Sequence, residues 1–250
     1  MITSKQNPLL KEIRSLADKK YRDKLGLYLV EGTKIVAEAI SLNLPIRTVI
    51  GTEKGLETVN GFSGRVECVS DEIFRSISSE VNPQGLIAVV EKPKVELCSP
   101  KNSCLLLDGV ADPSNVGAII RTAAASGYGE IYLTEECADP YSPKAVRSSM
   151  SGVFRVKITR GKLSDLLSVI DLPVYVADMC GENAFLHKAK GDFCLCIGNE
   201  GHGVCDEIKA RARYTVSIPM QNGVESLNAS VSAGLLMYLL KSDVIKDLKN

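Results

Sequence analysis

The sequence predicts an α/β protein in two parts: a small α/β domain over residues 1–95, a linker at 96–103, and a larger domain built on a mainly parallel sheet over 104–250. Three observations predict this. Short apolar runs alternate with amphipathic stretches along the whole chain, the pattern of strands joined by helices. The stretch from Glu91 to Asn102 breaks that alternation with two prolines and five charges, as a domain junction does. With 250 residues, 45% hydrophobic and 24% charged, the chain has the composition of a globular protein and the length for one large or two ordinary domains.

In the first part, residues 8–17 read as a basic helix, 26–30 as a strand, 33–40 as a helix, 46–50 and 66–69 as strands, 71–78 as a helix and 86–90 as a strand. In the second, strands are expected at 104–107, 131–133, 153–158, 174–177, 193–197 and 214–218. The helices between them are expected at 116–125, 144–150, 163–169, 206–212 and 226–240. Strands alternating with helices imply a sheet covered on both faces. Ligands of such sheets bind beyond the carboxyl ends of the strands, so the loops after Leu107, Leu133, Ile197 and Ile218 are where chemistry is sought.

No apolar run approaches the roughly 20 residues that span a bilayer, and the polar, basic start lacks the apolar core of a signal peptide. A cytoplasmic, membrane-free protein is expected. The eight cysteines show no CxxC pair, which agrees with a reducing compartment and with no metal site. Cys194 and Cys196 would share a face of a strand, where a metal is conceivable but two small buried side chains are the simpler reading.

Net charge is zero, but unevenly spread. In residues 1–30 seven bases, among them Lys19, Lys20 and Arg22, face three acids. Six bases, including Arg147, lie between Lys144 and Lys162 with no acid. Such stretches either neutralise phosphates, which makes RNA the expected partner, or form solvated faces.

Three loops hold unusual residues. The first runs Asp112-Pro113-Ser114-Asn115-Val116-Gly117, with Arg121 six residues beyond Asn115. It reads as turn and helix-cap chemistry or as a site, and it lacks the glycines of a dinucleotide fingerprint. The second, Gly198-Asn199-Glu200-Gly201-His202-Gly203, lets backbone approach a ligand closely or makes a tight turn, in which Glu200 is poorly explained. The third begins Ile218-Pro219-Met220 and continues to Ser226-Leu227-Asn228. There Ser226 is a candidate helix cap, and small polar residues run into an apolar helix.

Asp-Pro-x-Asn-x-Gly-x-x-x-Arg, Gly-Asn-Glu-Gly, and Ile-Pro-Met followed by Ser-Leu-Asn, in this order and at strand ends, closely resemble the motifs of the SpoU family of ribose methyltransferases, of the SPOUT superfamily. The resemblance covers about residues 104–240, and residues 138–150 also look like the family's pattern. Residues 1–95 resemble its small RNA-binding domain, of ribosomal-protein type, through Asn7-Pro8-Leu9 and Glu31-Gly32. The resemblance implies a deep trefoil knot formed by the loops at 198–203 and 218–226 with helix 226–240 threaded through. It also implies a homodimer, and S-adenosyl-L-methionine as methyl donor for an RNA 2′-hydroxyl, with rRNA favoured over tRNA. Asn115, Arg121, Glu200, Ser226 and Asn228 would then be catalytic; Thr134, Gly198, Ile218 and Leu227 would hold the cofactor; Lys19, Lys20, Arg22 and Arg147 would bind RNA. Because a guanidinium is normally a cation, Arg121 is read as an electrostatic clamp and not as a general base. A non-catalytic RNA-binding module of the same fold, or a nucleotide-dependent enzyme on an ordinary doubly wound sheet, are the competing readings, the latter disfavoured by the missing phosphate loop.

Overall fold

Residues 1–59, 61–222 and 226–241 are described in a computed structural model, in which the chain divides into two compact units. One comprises Met1–Lys94 together with Asp139–Phe154; the other comprises Val95–Ala138 and Arg155–Asn250.

The first unit opens on helix α1 (Pro8–Ser15), started by the Asn7 side chain, which accepts from Leu9 N at 2.9 Å, and by a proline whose fixed φ suits the first turn. Helix α2 (Lys19–Leu25), absent from the sequence-based reading, is capped by Asp18, which accepts from Lys20 N, and closed by Gly26 at φ 65°. Strand β1 (Leu27–Glu31), helix α3 (Thr33–Ser41), strand β2 (Ile46–Gly51), the short helix α4 (Glu53–Leu56), strand β3 (Val66–Cys68), helix α5 (Asp71–Arg75) and strand β4 (Leu86–Glu91) follow. The sheet order is β1-β4-β2-β3, with β4 antiparallel to both neighbours and β2 parallel to β3. Leu10, Ile13 and Leu16 pack with Leu27, Leu29, Ile87, Val89 and Phe74 in its core.

The segment Asp139–Phe154 belongs to this unit although it lies between two strands of the other. Arg22, 3% exposed, explains part of its attachment: Nε and Nη2 donate to Asp139 Oδ2 at 2.8 and 2.7 Å, and Nη1 donates to the carbonyls of Leu16 and Ala17, each at 2.7 Å. Tyr28 and Tyr141 meet at a tilt of 53° with ring centroids 5.0 Å apart. Helix α7 (Pro143–Ser149) packs on β1, and a 3₁₀ turn over Met150–Phe154 packs on α3, in place of the start of the strand expected at 153–158.

The second unit carries strands β5 (Cys104–Leu107), β6 (Glu130–Thr134), β7 (Lys157–Gly161), β8 (Val174–Asn183), β9 (Cys194–Ile197) and β10 (Ala212–Ser217), all parallel, in the order β10-β8-β9-β5-β6-β7. Alternation along the strands turns Cys104, Leu106, Cys194 and Cys196 to the face covered by helix α8 (Leu163–Val169) and helix α9 (Asp206–Lys209). Helix α6 (Pro113–Ala125) and helix α10 (Ala229–Leu240), which pack on each other, complete the unit. The eight cysteines are free, and among the described residues no group of three His, Cys, Asp or Glu is placed to hold a metal ion. No described helix is long and apolar enough to cross a membrane.

Candidate active site

The carboxyl ends of β5 and β9 lie side by side because Leu107 pairs with Ile197, so their following loops meet. Asn199 organises the meeting. Its Nδ2 donates to Gly109 O at 2.7 Å, and its Oδ1 accepts from Gly201 N at 2.8 Å and His202 N at 3.2 Å. Reciprocal backbone bonds between Asn199 and Gly203 close the loop, with Gly203 at φ 69°. Asp108 ties it from the other side by accepting from Cys205 N at 2.8 Å. Sequence reading quoted Asn199 but gave it no role, although an Asx residue followed by glycines in a strand-end turn is a recognisable signal.

Gly198 is required by close approach. A Cβ there would lie 2.1 Å from the Gly203 carbonyl carbon and 2.3 Å from Val204 N, backbone atoms that cannot yield. Gly198→Ala is expected to lower stability in chemical denaturation by about 1–3 kcal/mol, the usual cost of overpacking. A wild-type unfolding midpoint would contradict this contact.

A chain of side-chain hydrogen bonds joins the three motifs. Asn115, 8% exposed in the first turn of α6, donates from Nδ2 to Glu200 Oε1 at 2.8 Å. Asn228 Nδ2 donates to Asn115 Oδ1 at 3.0 Å. Ala111 N makes a longer contact of 3.4 Å to Glu200 Oε2. Partial burial pushes the Glu200 carboxyl up, but the hydrogen bonds from Asn115 and the backbone of Ala111 and Asp112 outweigh it and hold the carboxyl below the usual carboxylate range. Glu200 is therefore an anion that fixes the Asn115 amide, which in turn fixes Asn228.

Asn228 and not Ser226 caps α10: its Oδ1 accepts from Ser230 N at 2.9 Å and Val231 N at 3.3 Å, and the helix begins at Ala229. Ser226 stands exposed before the helix. It borders a cavity of about 540 Å³ also lined by Gly198, Ile218, Leu227, Asn228 and Glu200. Residues 223–225 of the expected knot loop lie outside the described residues. The remaining wall mixes apolar Ile197, Val216, Met220 and Leu236 with polar Asp178, Ser217 and Ser232.

Thr134 does not line this cavity. Fully buried, its hydroxyl accepts from Gly109 N at 3.0 Å and supports the first loop. Arg121, on α6, is exposed, does not line the cavity and has no hydrogen-bond or ion-pair partner among the described residues. His202 lines the cavity; His187 packs between Tyr175 and Tyr214 with Nδ1 3.2 Å from Glu182.

The proposed RNA-contacting bases divide. Arg22 is buried and fully engaged by Asp139 and two carbonyls, so its assignment to RNA is corrected: its position on α2 turns it inward. Lys19 pairs with Asp23. Against the upward push of burial, Lys19 and Lys92 hold the Asp23 carboxyl down to about 2. Arg147 is bonded to Glu80 and Ser79. Lys20 is exposed, and its ammonium has no partner among the described residues.

Residues 102–238 match the model of the SpoU rRNA Methylase family, and residues 7–88 match that of the MRM3-like substrate binding domain. Over 96% of its length the chain is 28% identical to 98% of the Bacillus subtilis protein named 23S rRNA (guanosine(2553)-2′-O)-methyltransferase RlmP. Its fold resembles an AdoMet-bound rRNA methyltransferase from Sinorhizobium meliloti with a TM-score of 0.86 at 28% identity, each chain covered to 97%. It also resembles the SpoU methyltransferase AviRb from Streptomyces viridochromogenes in complex with AdoMet, with a TM-score of 0.86 at 25% identity, over 96% of this chain and 99% of that one.

Proposed function

Because the chain belongs to the SpoU rRNA methylase family, we propose that it transfers a methyl group from S-adenosyl-L-methionine to the 2′-hydroxyl of a ribose in RNA, with rRNA as the substrate class. The observation that carries this is the Glu200–Asn115–Asn228 hydrogen-bond chain, which locks the three motif loops together beside one cavity.

The cavity fits the cofactor in size and chemistry. Its volume lies in the range of small-molecule sites, and the apolar part of its wall suits a purine. The glycine at 198 leaves backbone bare where a side chain would intrude. Gly198, Ile218 and Leu227 would hold the cofactor, while Thr134 supports the first loop through Gly109. When bound, S-adenosylmethionine supplies an electrophilic methyl group on a sulfonium. The chain's own residues must bring a ribose hydroxyl into line and steady the charge that grows on its oxygen. Arg121, a permanent cation without an internal partner among the described residues, is suited to the hydroxyl or its neighbouring phosphate. Asn115, Ser226 and Asn228 orient the nucleotide, with Asn115 itself oriented by Glu200.

Residues 1–95, with the segment 139–154 that belongs to the same unit, act as the substrate-binding domain, and the rest of 104–250 acts as the catalytic domain, a division supported by the two family matches. Lys20 is its best-placed RNA contact. We propose the family's trefoil knot for the catalytic domain, a reading supported by the family match and by the loop at 198–203. A cytoplasmic location is supported by the eight free cysteines.

A homodimer is supported by α10. This helix is mostly apolar, yet Val231, Leu235 and Tyr238, spaced as one helical stripe, are 40–49% exposed. Leu235→Glu is expected to halve the mass measured by light scattering while leaving the far-ultraviolet circular dichroism intact; a wild-type protein already monomeric would refute the dimer.

The activity is tested by mapping ribose methylation in rRNA and tRNA from cells with and without the protein. A single rRNA ribose that loses its methyl group is expected; loss confined to tRNA would move the substrate class, and no loss at all would refute the reading.

A further inference from the structure

Strand β8 leaves regular pairing at the cavity. Thr215 of β10 pairs with Val176, but the next residue, Val216, pairs with Glu182, so residues 177–181 bulge out of the ladder. Gly181 permits the bulge, since a Cβ there would lie 2.6 Å from the Val216 backbone. The bulge carries Asp178 to the cavity wall. The Asp178 carboxylate is held in place by Cys180 N at 3.0 Å and by Lys209 Nζ at 3.1 Å, which together keep its pKa below the usual carboxylate range. The only other charged carboxylate on the wall among the described residues is Glu200, and no lysine or arginine lines the cavity there. Lys209 faces Asp178 from α9 but does not line the wall, and among the described residues His202 is the one further titratable group lining it.

S-adenosylmethionine carries a net positive charge because of its sulfonium. The product of methyl transfer, S-adenosylhomocysteine, has a neutral thioether at the same atom. Among the described residues the wall carries two acidic residues and no lysine or arginine, a charge balance that distinguishes the two.

We propose that Asp178 is a specificity-determining residue that favours the charged methyl donor over its neutral product, so that spent cofactor leaves and fresh cofactor enters. The proposal rests on the S-adenosylmethionine reading of the cavity. Asp178 acts through charge, without touching the acceptor hydroxyl, and Lys209 moderates it. Removing the charge lowers the preference, and removing Lys209 raises it.

The test is isothermal titration of the full-length protein with S-adenosylmethionine, S-adenosylhomocysteine and sinefungin, an analogue with an amine in place of the methyl-sulfonium. Asp178→Asn keeps an acceptor for Cys180 N. It is expected to weaken S-adenosylmethionine and sinefungin by about fivefold, as expected for one partly screened charge near a surface, and S-adenosylhomocysteine by less than twofold. Lys209→Gln, an exposed change, is expected to shift the ratio in the opposite direction, and it tests the proposal independently should Asp178→Asn fold poorly. Equal weakening of all three ligands by Asp178→Asn, or an unchanged ratio in Lys209→Gln, would overturn the proposal while leaving the cofactor reading intact. A wild-type protein that binds none of the three would overturn both.

Discussion

Arg121→Ala is expected to slow methyl transfer by about 10²–10³-fold, the usual cost of removing one preorganised group that stabilises developing charge, with affinity for S-adenosylmethionine unchanged. The separation follows from position. Arg121 lies on α6, whose first turn carries Asn115, but it does not line the cavity and makes no hydrogen bond or ion pair among the described residues. An exposed arginine without such a partner adds little to folding, so its removal should leave the melting temperature near the wild-type value. Arg121→Lys keeps the charge but loses the planar fork, and should recover only part of the rate. Single-turnover transfer with titration calorimetry checks both halves. Full activity in Arg121→Ala would remove the residue from the mechanism, and loss of cofactor binding would make it a structural residue.

Arg22→Ala should lower stability by about 3–5 kcal/mol, the range for breaking a buried ion pair from one side. Asp139 would be left 9% exposed with its charge unpaired, and the carbonyls of Leu16 and Ala17 would lose their donor. The loss falls on the first unit, where this pair helps to anchor residues 139–154. Chemical denaturation of the double variant Arg22→Met with Asp139→Leu gives the control: with both charges gone, most of the stability should return. A single variant that loses less than about 1 kcal/mol would show the pair to be unimportant.

The contrast between these two arginines shows what the sequence could reveal. Strands β5 and β6 were legible as short continuous apolar runs, and helices α1, α3 and α8 because their apolar residues fall at the helical period. Helix α2 was not, because the side chain it buries is an arginine and the run Lys19-Lys20-Tyr21-Arg22 reads as a solvated basic face. Only the bracketing Asp18 and Gly26 signal it. The same blindness assigned Arg22 to RNA: its partner Asp139 lies 117 residues away, and no local pattern announces a buried ion pair.

Within the site, the resemblance to the SpoU motifs put Asn115, Glu200 and Asn228 into one group, and they are hydrogen-bonded in series. The spacing could not say which polar residue caps α10. Ser226 and Asn228 both suit a cap, and the choice falls on Asn228 because the same side chain also meets Asn115. Asp178 drew no notice because an acid just beyond an apolar strand usually marks a turn. Its place on the cavity wall depends on the bulge in β8, which is a tertiary event.

The acceptor atom is identified by incubating the purified protein with S-adenosylmethionine labelled in the methyl group and rRNA from cells lacking the protein. A 2′-O-methyl group blocks alkaline cleavage of the next phosphodiester. Label is expected in one alkali-resistant dinucleotide, and is expected to be lost with Arg121→Ala. Label recovered on a base, in mononucleotides after alkaline hydrolysis, would contradict the 2′-hydroxyl as acceptor.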